Sequence, residues 1–219
     1  MQENTILEYE KIKDTYIAYL KQNFLLTKSL INKEGKNFVA YNSDLLDKFF
    51  KGRALHLQSM SLIGVTAEHL VKLILAKRGF VLNKVSHVEL DKNNHNTKVV
   101  YSHMLIGFRQ SIELLTNSND KNYFNSLKSY VMNPYPDIYD KYSYFGRKII
   151  DPKKCLLLLA NVRNSYLHYA NAQGEQNGII WYLYNFLAWI AKKEFPEFKN
   201  LNYIGSKDVK DLFTHKKGK

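Results

Sequence analysis

The first 133 residues of this 219-residue chain contain no proline; the four that occur are Pro134, Pro136, Pro152 and Pro196. Proline removes an i→i−4 hydrogen bond and clashes with the preceding turn, so its absence leaves long stretches free to be helical. Apolar residues recur through those stretches at helical spacing, and no long alternating run stands out. No internal repeat of solenoid length is present. The pattern predicts an all-α, up-and-down bundle of about five helices. One domain is expected over residues 1–205, with a basic, frayed tail over 206–219.

The stripes locate the helices. Ile6, Tyr9, Ile12, Tyr16, Tyr19, Leu20 and Phe24 predict a first helix from Thr5 to Asn32, with Gly35 as its stop signal. A short helix is expected over Asp44–Phe50. A long one is expected over Arg53–Arg78, ending at Gly79, with Leu55, Leu62, Thr66, Leu70 and Leu73 on its stripe and Ile63 and Ile74 alongside. Leu90 to Thr97 is a polar loop. Thr97 to Leu115 predicts a third helix, with Tyr101, Leu105, Phe108, Ile112 and Leu115 on one face. The pattern then weakens, and the Tyr- and Asn-rich residues 117–150 read as an insertion or lid. Asp-Pro opens a helix over Asp151–Ala172. Glu175 to Phe195 is apolar on nearly every side, as in a helix central to a bundle or at a subunit interface, and Pro196 ends it.

Composition narrows the setting. Apolar residues make up 45% and charged residues 24%, which excludes wholesale disorder. One cysteine, Cys155, permits neither an internal disulfide framework nor a cysteine-rich zinc fold. The N-terminus has acids and no apolar core of a signal peptide. The longest apolar run, Ile179 to Ala191, is broken by Asn185 and is too short to span a bilayer. A soluble, cytoplasmic protein without membrane attachment is expected. The net charge of +12 favours anionic partners, nucleic acid first. Lysines outnumber arginines by 27 to 5, so each arginine is less easily dismissed as a generic surface cation.

The stretch CLLLLANVRNSYLHYANA, Cys155 to Ala172, carries the chemistry. At about 100° per residue, Leu156, Leu159, Ala160, Arg163, Leu167 and Ala170 share a face. Asn161, Asn164, His168 and Asn171 form a polar band beside it. A guanidinium on an apolar face requires an anion or open water. One reading of Arg163 is a core ion pair to a carboxylate such as Glu68 or Glu113. The other is a phosphate site, because guanidinium presents a planar fork of donors. His168 is either a satisfied structural group or a general acid–base. Asn164, four residues before it, is within side-chain reach.

Together these residues read R-N-x-x-x-H, Arg163 to His168. This resembles the Arg-x4-6-His signature of the HEPN superfamily, usually with a polar residue just after the arginine. The apolar run before the motif, the apolar helix after it and the earlier helix SLIGVTAEHLVKLILAKRGF look similar too. The resemblance implies a helical bundle that dimerises with its motif helices facing each other. It also implies metal-independent endoribonuclease activity without a cofactor, in a prokaryotic toxin or antiphage defence system controlled by an antitoxin or activator protein. Other members have lost catalysis and bind nucleotides or act as scaffolds. Carried over by position, Arg163 and His168 are the catalytic pair and Asn164 the supporting residue, with Asn161, Tyr169 and Asn171 available to RNA. Some members carry a modified Tyr two residues after the histidine. Here Tyr169 follows His168 immediately and Ala170 occupies that position, which puts such control in doubt.

Five residues of helix turn about 140°, so Arg163 and His168 do not point the same way on one helix. A two-fold partner supplies the missing direction, and a symmetric homodimer with a composite cleft is expected. The remaining histidines, His56, His69, His87, His95, His103 and His215, form no HExxH, so no dedicated metal site is expected. His103 is placed on the face of the third helix. Glu68 and Lys72 read as an ordinary surface pair, and Cys155 as an inert core thiol. The tyrosines from Tyr123 to Tyr144 suit either base stacking or simple packing. No P-loop, dinucleotide-binding or nucleophile-elbow motif occurs.

Overall fold

The computed structural model describes residues 8–38, 46–90, 97–117, 152–169 and 178–204. Five α-helices lie among them, with one two-stranded sheet and a short 3-10 turn. They are α1 (Tyr9–Phe38), α2 (Leu46–Lys77), β1 (Asn83–Leu90), β2 (Thr97–Leu105), α3 (Phe108–Asn117), α4 (Pro152–Tyr169) and α5 (Gly178–Glu194), with the turn at Pro196–Phe198. The helical architecture follows the expectation, and the sheet is a departure from an all-α fold. The expected lid over 117–150, apart from Asn117 at the end of α3, and the expected tail over 206–219 lie outside the described residues.

Helix α2 is the hub and packs against α1, α3, α4 and α5. Most of the stripe read from the sequence is buried: Ile63, Thr66, Leu70, Leu73 and Ile74 are nearly inaccessible, whereas Leu55 and Leu62 are only partly buried. Its stretch Ala54–Lys77 is long and apolar enough to cross a membrane, but 78% of the apolar window is buried inside the fold. That is the burial of a core helix. Glycine ends it as expected. Gly79 adopts φ +80, and the amides of Gly79 and Phe80 reach the carbonyls of Ala76 and Leu75 at 2.9 and 3.0 Å. This pair of hydrogen bonds closes the helix end, and glycine carries no steric penalty at that left-handed position.

The expected break between residues 50 and 53 is absent: Leu46 to Lys77 is one helix, carried through Gly52. Gly35 likewise does not stop α1, which runs on to Phe38. A single glycine costs a helix only about 1 kcal/mol, which the packing of long neighbouring helices outweighs.

The third helix is shorter than its expected span. Thr97–Leu105 is a strand, antiparallel to β1, with Leu90 opposite Thr97 and Val88 opposite Val99. The polar loop anticipated over Leu90–Thr97 joins these two strands, and its residues 91–96 are not described. Val85, Val88, Val99 and Val100 favour extended backbone, and the β-branched cross-strand pair supports the ribbon. His103 therefore sits exposed on β2, not on a helix. The ribbon is anchored at its base, where Ile106 N donates to Leu82 O at 2.8 Å and Asn83 Nδ2 to Ser102 O at 3.0 Å.

Helix α5 is central to the bundle. Leu183, Phe186, Leu187, Ala188 and Ala191 are fully buried. Asn185, the residue that breaks its apolar run, is buried with both ends of its amide used. Asn185 Nδ2 donates to Ile204 O at 2.9 Å, and Ile204 N donates to Asn185 Oδ1 at 2.8 Å. The polar residue thus ties the segment after the 3-10 turn back onto the helix. Cys155 lies in the core, as expected.

Candidate functional site

Helix α4 begins at Pro152, as Asp-Pro predicts, and carries the R-N-x-x-x-H motif on its second half. Cys155, Leu156, Leu159, Ala160 and Val162 bury one side of it. Arg163 lies on that same side, against α2.

The approach of the two helices is set by a glycine. A Cβ placed on Gly64 would lie 2.6 Å from the Cβ of Arg163, 2.9 Å from its Cα and 3.1 Å from its N. Only the missing side chain lets α4 lie so close. One turn further along the same row of α2 is Glu68, and one turn beyond that is Lys72. Arg163 Nε lies 2.6 Å from Glu68 Oε2, an ion pair by distance although the N–H is not aligned as a hydrogen bond. Lys72 Nζ donates to Glu68 Oε1 at 2.7 Å. Arg163 also donates through Nη1 to Asn164 Oδ1 at 2.9 Å.

The pair that reads as a surface interaction is therefore buried. Glu68 and Lys72 are each 7% exposed. On an isolated helix Glu68 stands off the apolar stripe; α4 covers it because Gly64 admits α4. Of the two readings of Arg163, the ion pair to Glu68 is present. The phosphate reading is not thereby removed. Two cations share one carboxylate, which leaves a net positive charge, and about a third of the Arg163 side chain is open (30%).

Helix α1 closes the other side. Tyr16 and Tyr19 set their rings edge-on to His69, at centroid distances of 5.5 and 5.0 Å. Burial, and then the negative charge of Glu68, push the Tyr16 phenol above its usual range. His69 Nδ1 lies 2.8 Å from the carbonyl oxygen of Val65. A carbonyl only accepts, so Nδ1 carries the proton and neutral His69 has its lone pair on Nε2.

Of the expected polar band of α4, the side chains of Asn161 and Asn164 are described. Asn161 is exposed, and Arg109 of α3 donates to its Oδ1 through Nη2 at 2.6 Å. Asn164 is half-buried and holds Arg163. His168 and Tyr169 lie on the last turn of α4; the surroundings of their side chains, and Asn171 altogether, fall outside the described residues. Sequence reasoning named Glu68 as one of two carboxylates that could pair with Arg163, but read its pair with Lys72 as a surface one, and it missed Arg109 altogether. The four-residue spacing Gly64, Glu68, Lys72 was the available signal for the burial of that pair. Nothing local marks Arg109, because its neighbour on α4 is 52 residues away.

No protein-family model, curated protein or solved structure matches the chain. The site is therefore argued from its own geometry. Among the described residues no three His, Cys, Asp or Glu side chains cluster to hold a metal ion.

Replacing Gly64 with alanine tests the close approach. Alanine favours a helix over glycine by about 1 kcal/mol. Overpacking costs about 1–3 kcal/mol, here towards the upper end because the obstacles are the Cβ and backbone of Arg163, which cannot swing away. We expect Gly64→Ala to lower the thermal midpoint, by roughly 2–8 °C for a net loss of about 1–2 kcal/mol. An unchanged or raised midpoint in a circular-dichroism melt would contradict the packing described.

Proposed function

We propose that the protein is a metal-independent endoribonuclease of a prokaryotic toxin or antiphage defence system, with Arg163 and His168 as its catalytic pair. The observation that carries this reading is the electrostatics at Arg163. Its guanidinium and the Lys72 ammonium share a single carboxylate, and its side chain stays partly open. Such a site has an unanswered positive charge and a fork of donors, and a phosphate supplies what it lacks. His168 follows within the same helix, in the resemblance to the HEPN signature.

The chemistry is transesterification. The ribose 2′-oxygen attacks the adjacent phosphorus while the bond to the 5′-oxygen breaks. His168 takes the 2′-hydroxyl proton or protonates the leaving 5′-oxygen. Arg163 stabilises the charge that builds on the phosphorane oxygens. Gly64 and Glu68 hold the guanidinium in one place before substrate arrives, so little reorganisation is needed. Two copies related by a two-fold axis supply both groups to one cleft, which answers the 140° divergence within a single helix.

Total RNA and tRNA incubated with the purified protein in EDTA test this. We expect fragments ending in 2′,3′-cyclic phosphate and beginning with 5′-hydroxyl. Cleavage abolished by EDTA and restored by a divalent metal would overturn the mechanism.

A second reading rests on the same ion pair. Arg163 is internally balanced by Glu68 at 2.6 Å, as a structural arginine would be. On that reading the chain is a non-catalytic nucleotide- or RNA-binding module or scaffold. It binds RNA in the same assay without shortening it.

A further inference from the structure

We infer that Arg109 is a second phosphate-binding residue, which holds the RNA backbone at a position next to the reacting one. The inference rests on the RNA reading above and adds to it a residue outside the motif.

Among the described residues two arginines meet the polar band of α4, and each is held in the same way. Arg163 donates to the side-chain carbonyl of Asn164, and Arg109 to that of Asn161. Asn161 and Asn164 are i, i+3 neighbours, so their Cβ atoms stand about 5–6 Å apart on one surface of the helix. The band thus presents two guanidinium groups side by side, one from α4 itself and one reaching over from α3.

Their electrostatics differ in an informative way. Arg163 is partly answered by Glu68. Arg109 is exposed, and among the described residues it forms no ion pair; its partner is a neutral amide. A hydrogen bond to an amide fixes a guanidinium without cancelling its charge. It also uses one donor of five, leaving the rest of the fork for a ligand. An exposed arginine normally loses side-chain entropy when it binds, and this tether removes part of that cost beforehand. The ligand that suits a fixed, uncancelled guanidinium beside a second one is a chain of phosphodiesters.

Binding of a mixed-sequence, fully 2′-O-methylated RNA oligonucleotide tests the proposal. That probe lacks the attacking hydroxyl and stays intact. Fluorescence anisotropy is followed across a potassium chloride series. Losing one phosphate contact makes the plot of log affinity against log salt shallower by about 0.7 for a single strand. Arg109→Ala is expected to show that change and to weaken binding about tenfold or more at low salt, in line with a charge-assisted hydrogen bond. Arg109→Lys is expected to keep the slope and part of the affinity. Lys21→Ala, an exposed change on α1 that lowers the net charge equally, is expected to leave the slope as in the wild type. An Arg109→Ala slope equal to that of the wild type or of Lys21→Ala would overturn the inference, even if RNA binds well. Retained RNA binding by that variant with loss of an acidic protein partner would overturn it too, and would assign Arg109 to a protein contact. Failure of the wild type to bind the probe at any salt would instead remove the RNA reading on which the inference rests.

Discussion

Replacing Glu68 with alanine is expected to destabilise the fold by about 3–5 kcal/mol, the usual cost of stranding a buried charge. At this chain length that corresponds to a fall of roughly 6–20 °C in the thermal midpoint. The size comes from what is left behind, not from the contact removed. Lys72 is 7% exposed, and its ammonium has Glu68 Oε1 at 2.7 Å. Without the carboxylate that ammonium must stay charged in a poorly solvated place, lose its proton, or drag α2 towards water. Arg163, more open to solvent, contributes less to the cost. The double variant Glu68→Ala/Lys72→Met separates the causes. If the stranded lysine dominates, the apolar replacement is expected to recover more than half of the loss, since a buried ion pair exchanged for packed apolar groups is often neutral. A fall of less than about 2 °C in the single variant would mean that water reaches Lys72 and that the Glu68–Lys72 pair is not buried.

The same cluster marks where one-dimensional reading stops. The long helices were legible because their apolar stripes need only the helix's own geometry: Leu70, Leu73 and Ile74 on α2, or Leu183, Phe186 and Leu187 on α5, declare a buried face from within a single segment. Cys155 and the stop at Gly79 were legible for the same reason. Glu68 was legible only as one of two candidate carboxylates for Arg163, because its burial is decided by another helix. On α2 alone it stands opposite the stripe, and its partner is 95 residues distant in the chain. The signal lies in Gly64, whose missing side chain is the condition for α4 to approach. Here a glycine inside a long helix, with a carboxylate one turn on, marks close helix packing in a charged setting.

The strand at Thr97–Leu105 was lost differently. Tyr101, Leu105, Phe108, Ile112 and Leu115 fit a helical stripe, and the last three do lie buried on α3. The helix expected from Thr97 takes in Val99 and Val100, where β-branched residues and pairing with β1 decide for extended backbone. Spacing alone does not separate the end of one element from the start of the next.

His168→Ala is expected to lower RNA cleavage by about 10²–10⁴, the range for removing a general acid–base. The backbone of α4 is continuous through the motif and carries His168 on its last turn, so alanine, the best helix former, is well placed there. Loss of activity with an unmoved melting transition therefore speaks to chemistry and not to folding. Binding of the 2′-O-methylated probe should survive, because the phosphate contacts are assigned to Arg163 and Arg109. Arg163→Ala is expected to differ: it removes transition-state stabilisation and also a partner of Glu68, so both rate and melting should change. The two variants then test the two-fold cleft. If each cleft takes Arg163 from one copy and His168 from the other, mixing the two inactive proteins rebuilds one complete cleft per mixed dimer. Part of the wild-type rate is then expected to return. If both groups act from one chain, mixing restores nothing. Cleavage by His168→Ala at the wild-type rate would assign the activity to other residues and end the case for the motif.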